Sequence, residues 1–436
     1  MELPPDGIPG LQKGTLLRVV KAVYGLGDAP RQWFQKIVGV LGNIGFRQSQ
    51  LDQCLFHWWK DEVLQGILCL HVDDMVVAGT KCFHEEIIPK LKKSFPFKHW
   101  VEGRGQFLGR TLTQKEDGSI EIGQQEFCEK LKPCEISRER RRQKSERITD
   151  RETTQLRAIT GAINWAVTSS RPDLAVGNAV LQQRTTRATV HDLVEANKLI
   201  SEARDHSNLT LTVKPLPWDK LALLVPCDAS WGTEQDLSSQ AAYMICMTTQ
   251  DVVEGHSVDF SPLKWKSYKQ ERQVNSTLAA ETMAVSRGMA EACWLRFFFL
   301  EIMHSKFSLE EAKQLQHTIP VVTVTDNKPL FDFARNDVTV SQDKRLMIEM
   351  LLMRRDILKN NVVLRWIDTK QMLVDCMTKT KVRPFLLRYV LMSAKYAIMQ
   401  EKDMLEAKAN DRLLKQLKTE QKQDNSKCEM VTPMKK

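Results

Sequence analysis

The carboxy-terminal half of the chain alternates short apolar runs with amphipathic stretches, and their order leaves few folds open. "LALLVPCDAS" reads as a strand, "AAYMICMTT" as a second and "FSPLKWKSYK" as a weaker third. A long helix follows from about Ser276 to Met303, then a fourth strand in "PVVTVTDN", a helix from Ser341 to Lys359 and a fifth strand in "NVVLRWID". A short helix around Leu373 to Lys379 closes the unit. Three consecutive strands, then alternation with helices, imply a mixed five-stranded sheet with helices on its faces.

Four acids sit at the ends of these elements. Asp228 ends the first strand, Glu281 lies in the first turns of the long helix, Asp326 ends the fourth strand and Asp375 opens the last helix. Strand ends and helix starts are where side chains meet in a cleft above such a sheet. Four carboxylates gathered there repel one another unless cations sit between them, and two Mg²⁺ ions would neutralise them and serve a phosphoryl transfer. Any one of these acids alone is as well explained as a turn residue or helix cap. Their order on strand, helix, strand and helix is the informative feature. Ala279, Ala280 and Ala284 beside Glu281 fit a helix packed closely over a sheet.

The amino-terminal half mixes strands and helices. "PRQWFQKIVGVLGNIGF" predicts a helix with Pro30 in its first turn and Trp33, Phe34, Ile37, Val40 and Leu41 at helical spacing. "GILCLHVDDMVVAG" predicts a hairpin turning at His71-Val72-Asp73-Asp74, and "RGQFLGRTLTQKEDGSIEIGQQ" a second, turning at Asp117-Gly118. "SRERRRQKSERITDR", Ser137 to Arg151, is strongly basic, which fits a solvated linker or a phosphate-contacting arm. Thr153 to Arg204 is helical around "SSRPDL", and beyond Arg383 a charged helix is expected to fray into a disordered tail. The domains read as 1–135, a region of mixed strands and helices; 136–152, a basic linker; 153–215, a helical connection; 216–382, the mixed-sheet domain; and 383–436, the tail.

Composition narrows the class. A net charge of +9 suits a polyanionic partner such as nucleic acid without requiring one. No apolar run reaches the roughly 18 residues of a membrane span. "MELPPDGIPG" is not a secretory signal. The 10 cysteines lack a C-x-x-C pair, which points to free thiols in an intracellular, reducing compartment, cytoplasmic or nuclear.

The blocks "CDAS", "KWKSYKQ", "STLAAETMAV", "EACWLRFFFLEI", "VTDN" and "DTKQMLVDCMTK" resemble the ribonuclease H domain of copia-type retrotransposon polyproteins. "KAVYGLGDAPRQWFQKI", "DQCLFHW", "LHVDDMVVAG" and "FLGR" are similar to their reverse transcriptase, and "LRAITGAINWAVTSSRPDLA" to the segment joining the two. The resemblance implies a partial reverse-transcriptase palm followed by a ribonuclease H-like domain. It also implies that Asp228, Glu281, Asp326 and Asp375 hold two Mg²⁺, for which Mn²⁺ can substitute. These would hydrolyse the RNA strand of an RNA–DNA hybrid, with 2′-hydroxyls distinguishing RNA from DNA. Trp265, Lys266, Lys269 and Arg272 would be strand contacts, although Trp265 is as readily a core residue. Related ribonucleases H place a histidine between the third and fourth acids to assist product release. None stands between Asp326 and Asp375, so slower turnover with intact metal binding is expected.

His71-Val72-Asp73-Asp74 resembles the polymerase motif that usually begins with tyrosine. That chemistry needs a third carboxylate from an upstream strand. Before Tyr24 the acids are Glu2 and Asp6, and "PPDGIPG" around Asp6 is a poor interior strand. The family's Tyr-Gly-Leu-Lys-Gln is replaced here, because Gly27 and Asp28 follow Tyr24-Gly25-Leu26. Losing that lysine and adding an acid would repel a triphosphate, and one added like-charge contact at about 4 Å and an effective dielectric near 20 costs on the order of 4 kcal/mol. The expectation is an amino-terminally truncated polyprotein fragment, active as a hybrid-specific ribonuclease and not as a polymerase, with Asp73 and Asp74 an incomplete metal site. Two alternatives stay open: a non-catalytic remnant that binds nucleic acid, and a full RNA-directed DNA polymerase whose start lies upstream. No membrane partner is expected, and protein partners are left open.

Overall fold

The computed structural model describes residues 9–12, 14–16, 25–233, 237–335 and 343–406. These fall into two units, one running to Val101 and including Phe298–Ser308, the other formed by Glu102–Phe297 and the residues from Leu309 onward. Glu2, Asp6 and Tyr24, used in the sequence reading, lie outside the described residues.

In the first unit β1 (Arg47–Gln48), β2 (Leu55–Lys60), β3 (Val63–His71) and β4 (Asp74–Gly79) form one antiparallel sheet in that order. The hairpin expected at "HVDD" is present, with His71 paired to Asp74 across a two-residue turn. Val72 opens that turn at φ 57°, a left-handed backbone that costs a β-branched residue energy. The helix Ala29–Ile44 buries Ile37 and Leu41 and ends where Gly45 turns left-handed at φ 105°. Gly66 and Gly79 lie opposite each other on β3 and β4. A Cβ on either would stand 2.1 or 2.4 Å from the ring of Phe83, so the pair forms the slot into which Phe83 packs. Glu301, in the last turn of the long helix Thr277–Met303, is buried and accepts hydrogen bonds from Ser49 Oγ at 2.6 Å and Gln50 N at 2.7 Å.

In the second unit β5 (Arg104–Phe107), β6 (Arg110–Gln114), β7 (Ile120–Gly123) and β8 (Thr210–Val213) make a four-stranded antiparallel sheet. The second expected hairpin is present as β6 and β7. A hairpin's own turn is legible locally, but β7 pairs with the distant β8, which alternation alone does not specify. The basic segment is also more than a solvated linker. Its short helix Arg138–Arg142 points the Arg140 guanidinium to Glu146 at 3.0 Å and Glu152 at 2.9 Å, and Glu152 joins Thr149 in a capping box. The hydrogen bond from Arg140 leads the contacts that hold the Glu152 carboxyl down at about 2.

The five expected strands are β9 (Leu221–Ser230), β10 (Gln240–Thr249), β12 (Ser261–Lys269), β13 (Val321–Thr325) and β14 (Val362–Trp366), with a two-residue β11 (Val258–Asp259) preceding β12. They lie in the order β12-β10-β9-β13-β14. The first three are antiparallel neighbours, and β13 runs parallel to both β9 and β14, so the sheet is mixed as anticipated. The long helix approaches it along Ala280, Ala284, Gly288 and Ala292. At Gly288 a Cβ would stand 2.5 Å from Cys227 Sγ and 3.1 Å from Tyr243 Cβ. A helix does follow Arg383, although it is packed and not solvated, and the tail expected after residue 406 lies outside the described residues. The helix Phe385–Ser393 buries Leu387, Val390 and Leu391, and β15 (Lys395–Tyr396) pairs with β11. The charge that suggested a tail is concentrated further on, whereas "FLLRYVLM" is apolar.

Helices Asp150–Ser169, Ala175–Arg184 and Val190–Asp205 join this core through a buried ionic network centred on "SSRPDL". Asp173 accepts two hydrogen bonds from Arg171, each 2.9 Å, and one from Arg388 Nε at 2.8 Å. Arg388 also reaches Glu202 at 2.9 Å, and Arg171 Nη1 donates to the Ala203 carbonyl at 2.8 Å. Burial works against the Asp173 anion, but the two arginines outweigh it and hold its carboxyl below the usual carboxylate range. No described helix is long and apolar enough to cross a membrane, and the described cysteines are free thiols. Removing Asp173 strands two buried guanidinium groups. Asp173→Ala should therefore cost about 3–5 kcal/mol in urea denaturation followed by fluorescence. A loss below about 1 kcal/mol would mean that the network does not hold these helices together.

Candidate metal centre

Asp228 stands on β9 opposite Ala242 of β10, where the strand is buried along its whole length. Glu281 is the fifth residue of the long helix, whose small residues bring it close over the sheet. Asp326 follows the last residue of β13, the parallel neighbour of β9. One carboxylate oxygen from each of the three lies within 4.8 Å of the others. Asp228 and Glu281 are only 1% and 4% exposed, so their charges have almost no water to lean on. Burial first, then the charges of Asp326 and Asp375, push the Asp228 carboxyl up to about 6 against the pull of Lys379 and Thr378. The Glu281 carboxyl is driven well above its usual range by burial and then by Asp228 and Asp326. Its Oε2 is buried with no hydrogen-bond partner.

Asp375 is placed differently. It begins a 3₁₀ turn, Asp375–Met377, within the stretch Leu373 to Lys379 where a short helix was expected. Its carboxylate is ion-paired with Lys379, and it is not part of the group of three. The Lys379 ammonium also stands 3.6 Å from Asp228 Oδ2. Thr378 donates its hydroxyl to Asp228, and Thr369 donates to Asp326 Oδ2 at 2.7 Å. Sequence reasoning assigned no role to Thr369, Thr378 or Lys379. The usable signal was the spacing in "DCMTK", which returns Thr378 and Lys379 to the side of the turn that carries Asp375.

The suggested strand contacts separate. Trp265 packs against the core and donates its indole N–H to the Val167 carbonyl at 2.7 Å. Lys266 and Lys269 are exposed on the edge strand β12, with Lys266 over the Tyr268 ring at 5.7 Å. Arg272 is half-buried and paired with Glu349 at 3.1 Å. In the first unit Asp73 and Asp74 are exposed at the hairpin tip, and the Trp33 indole donates to the Val72 carbonyl there at 3.0 Å. Among the described residues no third histidine, cysteine or acid joins this pair in a metal-holding group.

Residues 1–137 match the family model described as reverse transcriptase (RNA-dependent DNA polymerase). The chain is similar to the retrovirus-related Pol polyprotein from transposon RE1 of Arabidopsis thaliana, 24% identical over 87% of this chain and 25% of that protein. It is likewise similar to the one from transposon TNT 1-94 of Nicotiana tabacum, 21% identical over 88% of this chain and 28% of that protein. The chain thus spans about a quarter of the length of these curated relatives. Among solved structures it is similar to a foamy viral protease-reverse transcriptase in complex with dsDNA, with 14% identity, a TM-score of 0.46, and coverage of 80% of this chain and 60% of that one.

The raised carboxyls give a pH prediction. A group whose folded pKa lies above its unfolded value stabilises the fold fully below the unfolded pKa and loses that contribution as pH rises through the folded one. Without divalent ions, thermal stability should therefore fall as pH rises from about 4 through about 6, by an amount on the order of 3 kcal/mol for Asp228 alone. Asp228→Asn should flatten the slope when melting temperatures are measured across that range in EDTA. Equal slopes in both proteins would show that Asp228 is not buried among like charges.

Proposed function

We propose that this chain, a relative of the copia-type retrotransposon Pol polyproteins in their reverse transcriptase–ribonuclease H region, hydrolyses the RNA strand of RNA–DNA hybrids at Asp228, Glu281 and Asp326. The observation that carries the reading is the convergence of three carboxylates from two strands and a helix, with Glu281 Oε2 buried and unpartnered. Structures rarely leave such an oxygen unsatisfied without a ligand to complete it. An all-oxygen donor set fits a hard divalent cation, Mg²⁺ with Mn²⁺ as substitute. Such an ion supplies an activated water and positive charge for phosphoryl transfer. Asp228, Glu281 and Asp326 would hold it. Thr369 orients the Asp326 carboxylate, and Thr378 orients that of Asp228. Lys266 and Lys269, exposed on β12, are the basic residues we assign to the nucleic acid. Asp73 and Asp74 provide two ligands on an exposed turn, and we assign no polymerisation to them.

A second reading, hybrid binding without hydrolysis, is favoured by one feature, the lysine that occupies part of the acidic site. Incubating the full chain with labelled RNA–DNA hybrid and Mg²⁺ or Mn²⁺ separates the two, with single-stranded RNA and duplex DNA as controls. Hydrolysis should be confined to the RNA of the hybrid and stop in EDTA. In Asp326→Asn it should fall by more than the about 10–100-fold typical of outer-shell changes at metal sites. Hybrid binding with no cleavage by the parent protein would favour the second reading. On a primed RNA template the same preparation should extend no primer.

A further inference from the structure

We infer that the ammonium of Lys379 takes the place of a second divalent cation, so that this centre binds one metal ion. The inference rests on the hydrolytic reading and concerns how its positive charge is supplied. Four acids were expected to share two ions, yet only Asp228, Glu281 and Asp326 present oxygens to a common point. The fourth, Asp375, is largely buried and paired to Lys379, which also stands 3.6 Å from Asp228 Oδ2. Lys379 therefore sets its positive charge against Asp228 and Asp375 together.

The lysine is held there by the chain around it. Asp375 and Lys379 are four residues apart on one turn, and between them Cys376, Met377 and Thr378 are buried. The Thr378 hydroxyl donates to Asp228, so the turn is tied to the triad at two successive side chains. Charge points the same way. Four carboxylates, one ammonium and one divalent ion leave a single negative charge, whereas a second ion would set an ammonium against two dications. Asp228 thus belongs both to the three clustered carboxylates and to the pair that the lysine engages.

The test is a count of bound ions. The full chain, stripped of metal, is titrated with Mn²⁺ at neutral pH while free Mn²⁺ is followed by electron paramagnetic resonance. The parent protein and Lys379→Arg should each bind one ion tightly. Lys379→Ala and Lys379→Met should bind two, the second about 10–100-fold more tightly than any second ion in the parent. Asp375→Asn should keep the single tight ion, and Asp228→Asn should lose it. Two tight ions in the parent, or one in both Lys379→Ala and Lys379→Met, would overturn the inference and leave the hydrolytic reading standing. No tight ion in the parent would overturn both.

Discussion

Asp228 and Glu281 lie side by side almost out of reach of water, and the arrangement around them follows from that. In a low-dielectric site neither anion is solvated, and each raises the energy of the other. The close packing that creates the problem also creates the site. Small residues on one face of the long helix let it settle on β9 and β10, which brings Glu281 to Asp228 and seals both. Parallel pairing of β13 with β9 then delivers Asp326 beside them.

The second unit contains another buried charge cluster, and the contrast is instructive. Asp173 is as thoroughly buried, but Arg171 and Arg388 satisfy it completely, and Glu202 and backbone carbonyls take up their remaining donors. That network is closed and joins three helical segments. The network at Asp228 is open: Lys379, Thr378 and Thr369 engage part of it, and Glu281 Oε2 has no partner. A closed network is structural material, whereas an open one in the same interior calls for a ligand.

Much of this was legible in the sequence because it is local or strongly patterned. The five strands, the long helix and the "HVDD" hairpin can all be read from apolar periodicity and turn chemistry. Non-local choices could not be read. Nothing near Ile120 says that its strand will pair with Thr210–Val213, and nothing near Arg388 says that it will close on Asp173. The roles of Thr378 and Lys379 were hidden for a related reason. A threonine and a lysine after an acid look like ordinary surface residues until the turn Asp375–Met377 points them at β9.

Gly288 carries a consequence for the chemistry of the site. It lies seven residues beyond Glu281, about two helical turns, so it shares that residue's side of the helix. Beneath it is Cys227, the neighbour of Asp228. The gap between two of the clustered carboxylates is therefore gauged at a position that carries none, where a hydrogen stands and a methyl group would collide. Magnesium demands short, near-octahedral oxygen contacts, while calcium accepts longer and less regular ones. In the hydrolytic reading proposed above, the choice between the two ions would be a property of helix-to-sheet spacing, open to drift through substitutions that leave every carboxylate in place.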